Sequence, residues 1–100
     1  MNDTASIALS GIRAGFVRIG SAAHNVANLT SEDFHPLRTR QQSLAGGGTH
    51  AFAERSPVAA EVDLAAEIVE QMRGTHQALA SMRALDADAR TKGALLDLRI

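Results

Sequence analysis

The sequence predicts an all-α fold: two long helices that pack on each other, joined by a glycine-containing connector. Three observations carry this expectation. Apolar residues recur at helical spacing near both ends of the chain. Helix-forming residues dominate and β-branched residues are sparse. Bulky apolar mass is scarce, with three Phe and no Trp or Tyr. At 100 residues the chain is one domain at most and buries a modest share of its surface. The expected segments are a first helix over 1–29, a connector over 30–60 that is mostly irregular or a short hairpin, and a second helix over 61–100.

The first helix spans residues 3–28, with Asp3, Thr4 and Ser6 as N-cap candidates because each side-chain oxygen can accept from a first-turn N–H. Ala5, Leu9, Ile12, Phe16, Ile19, Ala23 and Val26 follow at alternating spacings of four and three. That is an uninterrupted a/d seam, the pattern of a helix lying along a partner helix. The helix also holds Gly11, Gly15 and Gly20, each costing roughly 0.5–1 kcal/mol relative to Ala. Two explanations stand open. Small side chains let neighbouring chains approach closely in a bundle, or Gly11 and Gly15 accommodate one crossing within the chain. Asn28 can end the helix in the left-handed conformation, and Asn25 and Asn28 are expected to cap or bridge at its exit.

Thr30, Ser31, Asp33 and Pro36 read as turn residues. Ala45-Gly46-Gly47-Gly48-Thr49 is flexible by composition and lacks the Gly-Lys-Ser/Thr ending of a phosphate loop. A short hairpin around Gly46 to Gly48, with arms over 38–44 and 50–53, is the structured alternative.

The second helix starts near Val62 and runs to about Leu98. Glu61 or Asp63 at its start and Arg99 at its end suit the helix dipole. Val62, Ala65, Val69, Met72, Leu79, Met82, Leu85, Ala89 and Leu96 form its apolar row, widened by Leu64, Ile68, Leu95 and Leu98. Leu9, Ile12, Phe16, Ile19 and Val26 are expected to meet Val69, Met72, Leu79, Leu85 and Leu96. His76 interrupts the row, where an imidazole charging below about pH 6 is expected to loosen the packing. At 1.5 Å per residue the helices measure roughly 55 and 39 Å, so the excess of the longer one is exposed or covered by another subunit.

Several function classes are disfavoured. A net charge of −1 with both signs interspersed gives no basic stripe for nucleic acid and no polybasic membrane patch. No apolar run approaches the roughly 18 residues of a membrane span. Met1-Asn2-Asp3-Thr4 does not read as a secretory signal. Cysteine is absent, which removes disulfides and thiolate metal sites. His24, His35, His50 and His76 include no pair at helical metal-ligand spacing. Glu67, Glu70, Asp86 and Asp88 lie on a charged helix face, where Glu70 with Arg73 and Asp86 with Arg90 form weak surface pairs. No Gly-x-Ser-x-Gly elbow is present. The expectation is therefore a non-enzymatic protein without metal or cofactor.

Ala8-Leu9-Ser10-Gly11-Ile12, Arg18-Ile19, Asn25-Val26-Ala27-Asn28, Ser31 and Phe34 lie in the order and spacing of a known N-terminal motif. Val62-Asp63-Leu64-Ala65, Glu67-Ile68-Val69, Met72, Leu85 and Leu95-Leu96-Asp97-Leu98 match its C-terminal counterpart. Together they cover about three quarters of the chain, and they resemble the bacterial flagellar rod and hook family of axial proteins. Glu32-Asp33 stands where that family has Pro-Gly, and Thr75-His76-Gln77-Ala78-Leu79-Ala80-Ser81 replaces its mid-helix Gln-Arg-x-Tyr-x-x-Asn pattern. The family's β-rich middle domain is reduced here to about 30 residues. The resemblance implies an antiparallel, coiled-coil-like helical hairpin. It also implies assembly with copies of itself and other flagellar axial proteins around a channel, and a place in the periplasmic part of the basal body. Export without a cleaved signal peptide is implied as well. A helical adaptor or regulator of flagellar export or assembly is the alternative it leaves open.

Overall fold

The computed structural model describes residues 4–98, with the side chain of Leu98 excepted. The expectations placed on Met1-Asn2-Asp3, Arg99 and the Leu98 side chain lie outside the described residues. The element order is α1 (Thr4–Ala27), β1 (Leu37–Ser43), β2 (Thr49–Arg55) and α2 (Leu64–Leu98). The fold is α+β, which corrects the all-α expectation: the connector is an antiparallel β-hairpin in register from Leu37↔Arg55 to Ser43↔Thr49.

Composition left the hairpin as one of two readings of the connector because its strands have weak intrinsic preference. Only Thr39 and Thr49 are β-branched among their residues. The turn and the docking against α1 make up the difference. Gly46, Gly47 and Gly48 all have positive φ, at 88°, 108° and 88°, a run that residues with a Cβ resist. Gly47 N donates to Leu44 O and Leu44 N to Gly48 O, at 3.1 and 3.0 Å. Ser10 on α1 then fastens the tip: its Oγ accepts from Thr49 N at 3.1 Å and donates to Ile7 O. Gly47→Ala is expected to destabilise by more than ~1 kcal/mol, through its φ and through a Cβ 2.7 Å from Ile7 Cδ1. A denaturant melt showing no loss would place the hairpin tip away from α1.

α1 and α2 lie antiparallel, with Gly11 against Ser81, Gly15 against Gly74 and Ala78, and Asn25 against Glu67. Asp63 caps α2, its Oδ1 accepting from Ala66 N at 3.3 Å. Asn28 closes α1, donating from Nδ2 to His24 O at 2.9 Å and accepting from Ser31 Oγ at 3.1 Å. β1 is tied to α2 by a reciprocal amide pair, Gln41 with Gln77, at 3.0 Å in both directions.

The molecule is long and thin, 64 × 24 × 13 Å, with a radius of gyration of 17.4 Å. A compact chain of this length has about 13 Å. Among the described residues the buried apolar ones are Ala8, Ala14, Ala22 and Ala78. The largest fully buried side chains are Asn25 and Pro36. The interior is therefore a close contact of small groups rather than a core of bulky ones.

Candidate assembly surface

The helix contact is a heptad, one residue out of phase with the apolar seam. On α1 the residues turned inward to α2 are Ala8, Gly11, Gly15, Ala22 and Asn25, with Arg18 in the same row. Each sits one position before a member of the row Leu9, Ile12, Phe16, Ile19, Ala23 and Val26. On α2 the inward row is Glu67, Gln71, Gly74, Ala78, Ser81, Leu85 and Asp88, again at alternating four and three. A Cβ on Gly15 would lie 2.6 Å from Gly74 O, and one on Gly74 would lie 2.7 Å from Gly15 O. The backbones thus touch at these two glycines. Of the two roles open for Gly11 and Gly15, the structure gives them the crossing within the chain, while Gly20 has no neighbour within 4 Å of a built Cβ.

One residue on, about 100° around the helix, the bulky residues stay outside. Leu9 and Phe16 on α1, and Val69, Met72 and Leu79 on α2, are 41–56% exposed. Ile12, Ile19, Val26 and Leu85 are half-buried, and Ile19 lies over Gly74. Leu95 and Leu96 are more exposed still, at 57% and 62%. The expected meeting of two bulky seams is replaced by small-residue contact, because van der Waals packing of two glycine-bearing faces brings the axes closer than two leucine-bearing faces allow. His76 is exposed on α2, outside the row that faces α1.

Asn25 joins all three parts of the fold. It is 1% exposed. Its Oδ1 accepts from Leu37 N at 2.8 Å, and its Nδ2 donates to Leu37 O at 2.9 Å and to Glu67 Oε1 at 3.0 Å. The amide thus acts as a neighbouring strand toward β1 and as a cross-link to α2. Glu67, itself buried, was read from sequence as one carboxylate of a charged face. The signal that could have singled it out is its place in the row with Gln71, Gly74 and Ala78.

A cleft of about 600 Å³ lies between α1, β1 and α2. Its inner carboxylates are engaged: Glu67 by Asn25, and Glu70 by Arg18 at 3.3 Å and Arg73 at 3.4 Å. Among the described residues no group of three metal-ligating side chains converges, and no helix is long and apolar enough to cross a membrane.

Compared with models of known protein families, the chain matches none, and no curated protein matches it. What the fold defines is a structural class: an antiparallel helix pair closed by small residues, with a β-hairpin docked along one side and an apolar stripe facing outward.

Proposed function

We propose that this chain is a structural subunit of the bacterial flagellar rod or hook, assembling through its terminal helices with copies of itself and with other axial proteins in the periplasmic part of the basal body. One observation carries the reading. The chain spends its small residues on its own helix contact and leaves its bulky apolar residues outward on both helices. Such a surface gains stability when a second protein covers it.

The sequence resemblance supplies the identity of the assembly, and two local details support it. Asn25, the first Asn of the Asn-Val-Ala-Asn motif, uses both the oxygen and the nitrogen of its amide to join α1 to β1 and α2. Asp33 stands where the family pattern has glycine, and its φ is 52°, the left-handed region that favours glycine. A glycine would adopt this conformation without strain, which is consistent with the family pattern at this position.

The expected result in solution is that helicity and mass rise together with concentration, read by circular dichroism and sedimentation velocity. Phe16→Asp should leave monomer helicity unchanged, since Phe16 is 56% exposed, and should abolish association by bringing a lone charge into the contact. A fully helical monomer at every concentration would favour the adaptor reading instead. In a flagellated bacterium that encodes the chain, it should copurify with hook–basal-body particles. Its absence from the particles of motile cells would remove the flagellar assignment.

A further inference from the structure

We infer that the cleft between α1, β1 and α2 binds an extended acidic segment of a partner protein, which adds to the free edge of β1 as a third strand. This goes beyond the assembly reading and does not depend on it. The sheet has two strands, so each keeps one edge without a neighbouring strand. Ser56 N donates to Pro36 O at 2.8 Å and Leu44 N to Gly48 O at 3.0 Å. Bonded and non-bonded pairs alternate along an antiparallel ladder. Leu37, Thr39, Gln41 and Ser43 therefore turn their N–H and C=O groups away from β2. At Leu37 the Asn25 amide answers both groups, as a neighbouring strand does. On the opposite edge Ser10 Oγ answers Thr49 N. α1 thus crosses beneath the hairpin on a diagonal, from the β1 edge at the base to the β2 edge at the tip. Beyond Leu37 it leaves the β1 edge, and the main-chain groups of Thr39 and Gln41 have no partner among the described residues. An open edge of this kind is a template for strand addition.

The space beside that edge is open. The hairpin packs on α1 and not on α2, with the Gln41–Gln77 amide pair as the link across. Residues 37–39 of β1 line one side of the cleft of about 600 Å³, and Ala66, Val69 and Arg73 of α2 line the other. The polar groups say what enters. Ser21 is 5% exposed, yet its Oγ has no hydrogen-bond partner among the described residues, and the same holds for Thr39 Oγ1. Both residues line the cleft. Hydroxyl side chains on the inward face of an added strand suit them. Arg38 is exposed on the outward face of β1 and forms no ion pair among the described residues. Glu54, its cross-strand neighbour, is engaged by Arg40. A carboxylate on the outward face of the added strand stands beside Arg38. The complement is therefore an extended backbone that carries carboxylates and hydroxyls at alternate positions.

The probe is a capped synthetic peptide of alternating Glu and Thr, titrated into isotope-labelled protein and followed by amide NMR. The amide signals of Thr39 and Gln41 should shift and their hydrogen exchange should slow, while Ala51 and Ala53 on the far edge stay unchanged. Two further peptides carry N-methyl groups, one on its Glu residues and the other on its Thr residues. In an extended strand only one of these sets turns its N–H groups toward β1. That peptide should bind at least about tenfold more weakly, and the other like the unmethylated probe. Arg38→Glu should weaken binding several-fold and leave the exchange pattern of the hairpin unchanged, since Arg38 is exposed. No shift at Thr39 and Gln41 with ~1 mM peptide, equal binding of the two methylated peptides, or shifts at Ala51 and Ala53 instead would overturn the added strand. A peptide with Lys in place of Glu that binds as well as the probe would overturn its acidic character. Protection of Thr39 and Gln41 that rises with protein concentration alone would give the edge to a second copy and overturn the partner segment.

Discussion

Gly15→Leu is expected to separate the two helices and unfold the chain, whereas Gly20→Ala on the same helix should stabilise it. A Cβ at Gly15 would lie 2.6 Å from Gly74 O and 2.9 Å from both Ala78 N and Ala78 Cβ. Two of these three neighbours are backbone atoms, which cannot rotate aside. Overpacking in a well-packed contact costs about 1–3 kcal/mol, and a branched side chain against a rigid backbone belongs at the upper end or beyond. A domain of this size has only about 5–15 kcal/mol in total, and one whose buried apolar residues are alanines lies low in that range. The smaller substitution makes the sharper test. In a solvent-facing helix Gly→Ala gains roughly 0.5–1 kcal/mol, which is the outcome for Gly20, where nothing lies within 4 Å. At Gly15 the same change should reverse sign. Urea melts followed by far-UV circular dichroism give both numbers. If both alanine variants were more stable than the parent, the backbones would not be in contact at Gly15.

The two helices were readable because their signals are long and periodic. The face on which they meet was not, for a physical reason. A search for apolar residues at alternating four and three finds Leu9, Ile12, Phe16 and Ile19. The same spacing recurs one residue earlier in Ala8, Gly11, Gly15 and Ala22, whose worth lies in what they omit. Hydrophobic periodicity weighs a residue by the area it can bury, so glycine and alanine scarcely register, although they set how closely two helices approach. The bulky row marks a stripe that the chain itself leaves largely exposed. The hairpin was legible only as an alternative to an irregular connector. Half of its strand residues are Arg, Gln or Ala, and the order comes from Asn25, Ser10 and Gln77 outside it. Asn25 stood out as part of a motif, but its partners at Leu37 and Glu67 lie 12 and 42 residues away, beyond any local pattern.

Asn25→Leu should cost about 3 kcal/mol or more, a large part of the chain's stability. The variant leaves Leu37 N–H, Leu37 C=O and the Glu67 carboxylate without the amide that now satisfies them. A buried polar group stripped of its partner costs about 1–3 kcal/mol, and the three losses are shared at one site, so they do not simply add. The loss should appear first in the hairpin, with amide exchange over 37–43 quickening before that of the helices. Asn25→Asp should be worse at neutral pH. It keeps an acceptor for Leu37 N but loses both donations from Nδ2, and it sets a second carboxylate against Glu67. Two carboxylates in one buried site raise the proton affinity of the pair in the folded state. The folded variant then binds protons more readily than the unfolded chain, so its deficit against the parent shrinks as pH falls. Adding Glu67→Leu to Asn25→Leu removes the stranded carboxylate and should recover part of the loss, leaving the share that belongs to the backbone of Leu37. If Asn25→Leu melted like the parent with unchanged exchange over 37–43, the hairpin would be held by its turn and Ser10 alone, and the Asn25 amide would be a passenger.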